Sequence, residues 1–167
     1  MKNQTKSIQF IFMTASSGSI DRLQQRLGKS SVQDLADLAI GYYAIYCPGE
    51  YNNGQELVMV DRVRQEAEGL NDEPTDSHKN SGPLQVSIDS ELIEELTDMS
   101  GNSNNADTLT RAFILLEDIC DEKEKGLELA LMDEDSEEVT FLQMKDRSQP
   151  QSASPAPPMP YTKPTLH

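Results

Sequence analysis

The chain has 167 residues, with 14 basic against 29 acidic side chains and a net charge of −15, which argues against non-specific binding to phosphates. Trp is absent and hydrophobic residues are 36%, short of the roughly 45–50% apolar content (Gly included) of an ordinary domain, so a large core is not expected and part of the chain is expected to be unpacked. Two cysteines make no disulfide scaffold, and no apolar run approaches the roughly 20 residues of a membrane-spanning helix.

Lys2 and Lys6 precede an apolar stretch, Ile8 to Ala15. It is short and interrupted by Gln9 and Thr14, so it reads as a strand rather than a secretory signal. A cytoplasmic chain is expected. The strand Phe10–Ala15 leads to a helix over Ile20–Leu27, a turn at Gly28, and a second helix over Val32–Cys47 that Pro48 and Gly49 stop. A short strand, Leu57–Val60, follows. Residues 62–82 are expected as a linker, because Asp72 to Gly82 is polar and rich in turn formers.

Beyond it, Leu84, Val86 and Ile88 alternate with Gln85, Ser87 and Asp89, the period of a strand. Asp89 or Ser90 caps a short helix with Leu92, Ile93 and Leu96 on one face. Gly101 ends that helix, and Ser103, Asn104 or Asn105 caps a longer one. Its apolar positions are Leu109, Ala112, Phe113, Leu116, Ile119 and Cys120, at helical spacing. A strand over Leu127–Met132, a turn over Asp133–Glu138 and a strand over Val139–Leu142 form an expected hairpin. Residues 143–167 hold six of the nine prolines and little apolar surface, so a disordered tail is expected.

The two halves match. At an offset of 73 residues, Gly28 aligns with Gly101, Ser17 with Ser90, Ile20 with Ile93 and Leu23 with Leu96. Ser30 with Ser103, Asp34 with Asp107, Ala39 with Ala112 and Cys47 with Cys120 continue the match. At an offset of 72, Gly54–Asp61 aligns with Gly126–Asp133. This is the mark of an internal duplication, with residues 8–61 and 83–142 as the two repeats.

Strand, short helix, Gly turn, polar cap and longer helix: each repeat resembles the ribbon-helix-helix superfamily of the Arc, MetJ and CopG type. Gln85 to Leu96 is similar to its strand and first helix, and Gly101 to Cys120 to its turn and second helix. So small a unit cannot bury its apolar faces alone and needs a second copy. The resemblance implies two strands pairing antiparallel. With two copies in one chain, the expected architecture is α+β, an intramolecular pseudo-dimer of tandem repeats, with further dimerisation left open.

The resemblance also implies DNA-binding residues. The outward positions of the paired strands would be Phe12, Thr14, Gln85 and Ser87, of which Gln and Ser can hydrogen-bond base edges. The phosphate clamp at the second-helix starts would be Lys29, Ser30 and Ser31 in one repeat and Ser103, Asn104 and Asn105 in the other. Arg22 and Arg26 stand near as further phosphate contacts. Against DNA stand the apolar strand around Phe12 and a lopsided charge. Residues 1–55 are near neutral, while residues 83–139 carry seventeen acidic and three basic side chains. Transcriptional regulation through DNA is therefore matched by an equal alternative: an acidic adaptor, or nucleic-acid mimic, that binds a protein partner. The plain alternative to both is a small α+β module with no readable target.

Other constellations are set aside. Asp133–Glu138 has the alternating oxygens of a calcium loop, but Glu138 stands where that loop needs Gly and Met144 where it needs Glu. Cys47 and Cys120 read as small buried apolar residues. His78 and His167 assemble no site, so no enzyme, metal or cofactor is expected.

Overall fold

In the computed structural model, residues 8–15, 17–47, 51–74, 82–136 and 138–143 are described. The N-terminal half runs β1 (Ile8–Ala15), α1 (Ser17–Leu27), α2 (Val32–Tyr46) and β2 (Gln55–Asp61), followed by β3 (Glu66–Gly69). The C-terminal half runs β4 (Gly82–Asp89), α3 (Ser90–Ser100), α4 (Asn105–Glu124), β5 (Glu128–Asp133) and β6 (Val139–Phe141). Among the described residues the architecture is α+β: four helices, a two-stranded ribbon β1-β4, and a four-stranded antiparallel sheet in the order β3-β2-β5-β6.

Local chemistry sets the helix ends. Gly28 and Gly101 have φ of 61° and 69°, the left-handed region where a side chain costs about 1–2 kcal/mol. They end α1 and α3 and turn the chain toward the next helix. Ser31 and Asn104 then sit at the N-caps of α2 and α4. Each side-chain oxygen accepts from the backbone N–H three residues on, Asp34 at 3.1 Å and Asp107 at 2.9 Å. Asp89 caps α3 by accepting from the N–H groups of Glu91 and Leu92.

Both strand pairings are antiparallel, and their registers have a common property. In the ribbon, Phe12 lies directly opposite Gln85, a separation of 73 residues. In the four-stranded sheet, Val58 lies opposite Ala130, a separation of 72. These are the two offsets at which the halves of the sequence align. The helices cross between halves: α2 packs on α4 and against β4, and α4 lies against β1. The main core joins Ile20, Leu23, Leu35 and Tyr43 of one half to Ile93, Leu96, Leu109 and Leu116 of the other.

The hairpin at the end of the second repeat is present, with Met132 opposite Val139. Asp133 donates its N–H to Glu138 and accepts at Oδ1 from the N–H groups of Asp135 and Ser136. That carboxylate is a turn builder, and these bonds hold its pKa below the ordinary value. Cys47 and Cys120 are both free and buried.

The stretch expected as a linker, 62–82, departs from that expectation. Residues 66–69 form β3, paired with β2 from Val60↔Ala67 to Val58↔Gly69. Beyond it, Asn71 donates its N–H to Asp118, and Asp72 accepts from Tyr43 Oη at 2.9 Å. The segment is fixed by hydrogen bonds to the helices, a mechanism that carries no hydrophobic pattern. Residues 75–81 and the tail from 144 onward lie outside the described residues. Among the described residues, no helix is long and apolar enough to cross a membrane.

Candidate functional site

Alternation gives the ribbon two faces. Val86 and Ile88 point into the core, while Gln85 is exposed and Ser87 half-buried on the other side. Phe12 faces Gln85 across the ribbon and Thr14 faces Pro83. The side chains of residues 8–19 lie outside the description, so Phe12 and Thr14 are placed by backbone register alone. The structure thus brings the four sequence-predicted positions Phe12, Thr14, Gln85 and Ser87 onto one two-stranded element.

A residue that sequence reasoning missed braces this element. Gln33, in the first turn of α2, accepts at Oε1 from the Ser87 N–H at 2.9 Å. Its Nε2 donates to the Ser87 carbonyl at 2.7 Å. A two-stranded ribbon leaves its outer backbone groups without a strand partner, and here one amide satisfies both groups of one residue. The repeat-equivalent position is Ala106, which has no such group. Ala106 can therefore offer β1 no brace of this kind.

The expected phosphate clamps are differently placed. On α4, the Ser103 N–H donates to Asp107 Oδ2 at 3.3 Å, and the Asp107 N–H donates to Asn104. Asn105 Oδ1 accepts from the Thr97 hydroxyl at 2.8 Å. A carboxylate of the chain itself stands where the clamp would hold a phosphate oxygen, and it is also paired with Arg111 at 3.4 Å. On α2, Ser31 is engaged as the cap, Ser30 is exposed, and the Lys29 N–H donates to the Gln24 carbonyl at 3.0 Å.

The arginines expected near that clamp turn elsewhere. Arg22 pairs with Glu117 at 3.3 Å. Arg26 pairs with Asp121 at 2.7 Å and with Glu124 at 2.9 Å. The Asp121 hydrogen bond is the main reason its pKa rises further. Arg22 and Arg26 thus form an ion-pair seam between α1 and the acidic end of α4. Asp89 is likewise engaged, as the cap of α3.

Between α2, α3 and α4 lies a polar network with no sequence signal. Thr108 is fully buried on the core stripe of α4. Its hydroxyl is 2.8 Å from that of Thr97 and accepts from Asn102 Nδ2 at 3.1 Å. Asn102 Nδ2 also donates to Tyr43 Oη at 3.0 Å, and Tyr43 donates to Asp72. Tyr46 Oη lies 3.5 Å from Asp72, and Arg111 lies 3.9 Å from it. The network ties α2, α3, α4 and the segment after β3 into one unit. Burial, with Asp72 beside it, pushes the Tyr46 phenol up to about 12.

No match comes from protein-family models, curated proteins or solved structures.

Proposed function

We propose that the chain is a non-enzymatic cytoplasmic regulator, a ribbon-helix-helix-like pseudo-dimer in one molecule whose ribbon face binds a protein partner. The paired-repeat part of this reading is supported by the register. A two-fold axis relating two copies must pass between equivalent residues, and Phe12–Gln85 and Val58–Ala130 are such pairs. Equivalent glycines in left-handed geometry and equivalent caps add to it.

One observation carries the choice of a protein partner over DNA: the Asp107 carboxylate occupies the N-terminus of α4. DNA affinity is dominated by phosphate contacts. One clamp is filled by an anion, and Arg22 and Arg26 are held by α4 carboxylates. The reading that the ribbon enters a DNA groove retains one specific support, the exposed Gln85 on a strand braced by Gln33.

Fluorescence anisotropy against genomic duplex fragments at low salt separates the two. The expected result is no sequence-selective binding, with Gln85→Ala indistinguishable from the parent chain. A photo-crosslinker in place of Gln85 should then yield a nuclease-resistant protein adduct in cells. Selective DNA binding that Gln85→Ala or Ser87→Ala weakens would overturn the proposal.

A further inference from the structure

The two hairpins of the four-stranded sheet share a frame and differ at the tip. Asp61 lies opposite Glu66 where β2 turns into β3. Asp133 donates its N–H to the Glu138 carbonyl where β5 turns toward β6. These frame residues align at the offset of 72. In each turn the Asp Oδ1 accepts two backbone N–H groups. They are those of Val63 at 2.9 Å and Arg64 at 3.1 Å in one, and those of Asp135 and Ser136 at 2.9 Å in the other. Between the frame residues, the sequence is Arg-Val-Arg-Gln at 62–65 and Glu-Asp-Ser-Glu at 134–137. Two arginines in one tip thus face three carboxylates in its twin.

The acidic tip has the short polar residues that a solvated turn favours. The 62–65 tip does not. Val63 is 94% exposed, and its stiff β-branched side chain gains nothing from a turn in water. Arg64 beside it is 73% exposed and stands 3.7 Å from Asp61 Oδ2. Arg62 is held back on the sheet, with its guanidinium 3.9 Å over the Phe141 ring and paired with Glu128. Gln65 closes the turn in left-handed geometry, at φ 57°. Val63 and Arg64 are thus the projecting pair of a turn that Asp61 and Arg62 fix in advance. Such preorganisation lowers the entropy lost on docking.

We propose that the 62–65 tip is a docking knob for a partner protein that offers an apolar hollow rimmed by carboxylates. Val63 fills the hollow and Arg64 pairs with the rim. Charge selects this partner. A basic rim would meet Arg64 with like charge, and a wholly apolar pocket would strip it of water without a counter-ion. The acidic body of the chain is no bar, because its charge is screened over about 8 Å at physiological salt. The same rim would repel Glu134 and Asp135 at the twin tip, so the partner distinguishes two turns of one frame. This contact is separate from the ribbon face and does not depend on it.

Selection from a phage-displayed library of random peptides on the full-length chain tests this. Peptides that also bind the full-length Val63→Ser/Arg64→Ser variant are removed. Those that remain should carry an aromatic or aliphatic residue flanked by Asp or Glu. They should bind that variant at least tenfold more weakly than the parent, and Arg64→Glu more weakly still. Gln85→Ala should leave their binding unchanged, which keeps this test apart from that of the ribbon face. The double variant should keep the parent's urea midpoint, since both side chains are exposed; a lower midpoint would make them part of the fold and overturn the proposal. Remaining peptides with no acidic excess, a loss of binding in Gln85→Ala, or no peptide that tells parent from variant would overturn it as well.

Discussion

Gln33 is the residue on which the shape of the ribbon depends most locally. Its amide satisfies both backbone groups of Ser87. Gln33→Ala should lower unfolding stability by about 1 kcal/mol, a typical net hydrogen-bond contribution, with water taking part of the lost role. Urea denaturation of parent and variant measures this, and an unchanged midpoint would show that the brace is idle. The buried thiols and phenols make a second residue-level statement. Burial raises Cys47 and Cys120 from 9.0 to about 11, and Tyr46 from 10.0 to about 12. Above pH 9 the unfolded chain releases these protons first. Stability is therefore complete below that pH and is lost as pH rises toward 11 and 12. Each titrating group weighs up to about 1.4 kcal/mol per pH unit within its window. Melting temperature under reducing conditions should be level up to pH 9 and fall beyond it. A flat profile to pH 10.5 would contradict the burial of these groups.

At the scale of elements, α1 and α4 are joined on the outside by charge and on the inside by Ile20 and Leu23 against the common core. The Arg26 side chain is 26% exposed and its partners Asp121 and Glu124 are 51% and 60% exposed, so the pairs are partly screened and weak. Arg26→Ala should cost less than about 1 kcal/mol, and the difference from the parent should shrink at high salt. Denaturant titrations at low and high salt check this. A large, salt-independent loss would mean that the seam, rather than the apolar face, holds α1. The elements themselves were largely legible. Gly28 and Gly101, the polar caps and the alternation of Leu84 to Ile88 each announce a local conformation through one or two residues. β3 was not legible, because Glu66–Gly69 has a single half-buried residue, Ala67, and no alternation to detect. The seam was half legible. Arg22 and Arg26 show a basic cluster in the sequence, but their carboxylates lie 95 and 98 residues away, and charge alone names no partner. Separations of 29 and 59 residues likewise hide the links from Tyr43 to Asp72 and Asn102. Asp107 was aligned with Asp34 in the repeat, yet its seat on the Ser103 N–H depends on the turn geometry.

For the whole molecule, the charge of −15 and the low apolar fraction acquire a spatial meaning. The N- and C-terminal halves share one core, with α2 packed against β4 and α4 against β1. Gln33 braces β4 through Ser87, while Ala106 stands 73 residues on from Gln33 and has no amide to offer. The sharpest test of this architecture is isotope-filtered NMR on an equimolar mixture of labelled and unlabelled full chain, unfolded and refolded together. Backbone cross-peaks between the Phe12 and Gln85 strands should arise within one chain, from a species that sediments at 18.6 kDa. Cross-peaks between labelled and unlabelled chains, in a particle of twice that mass, would contradict it.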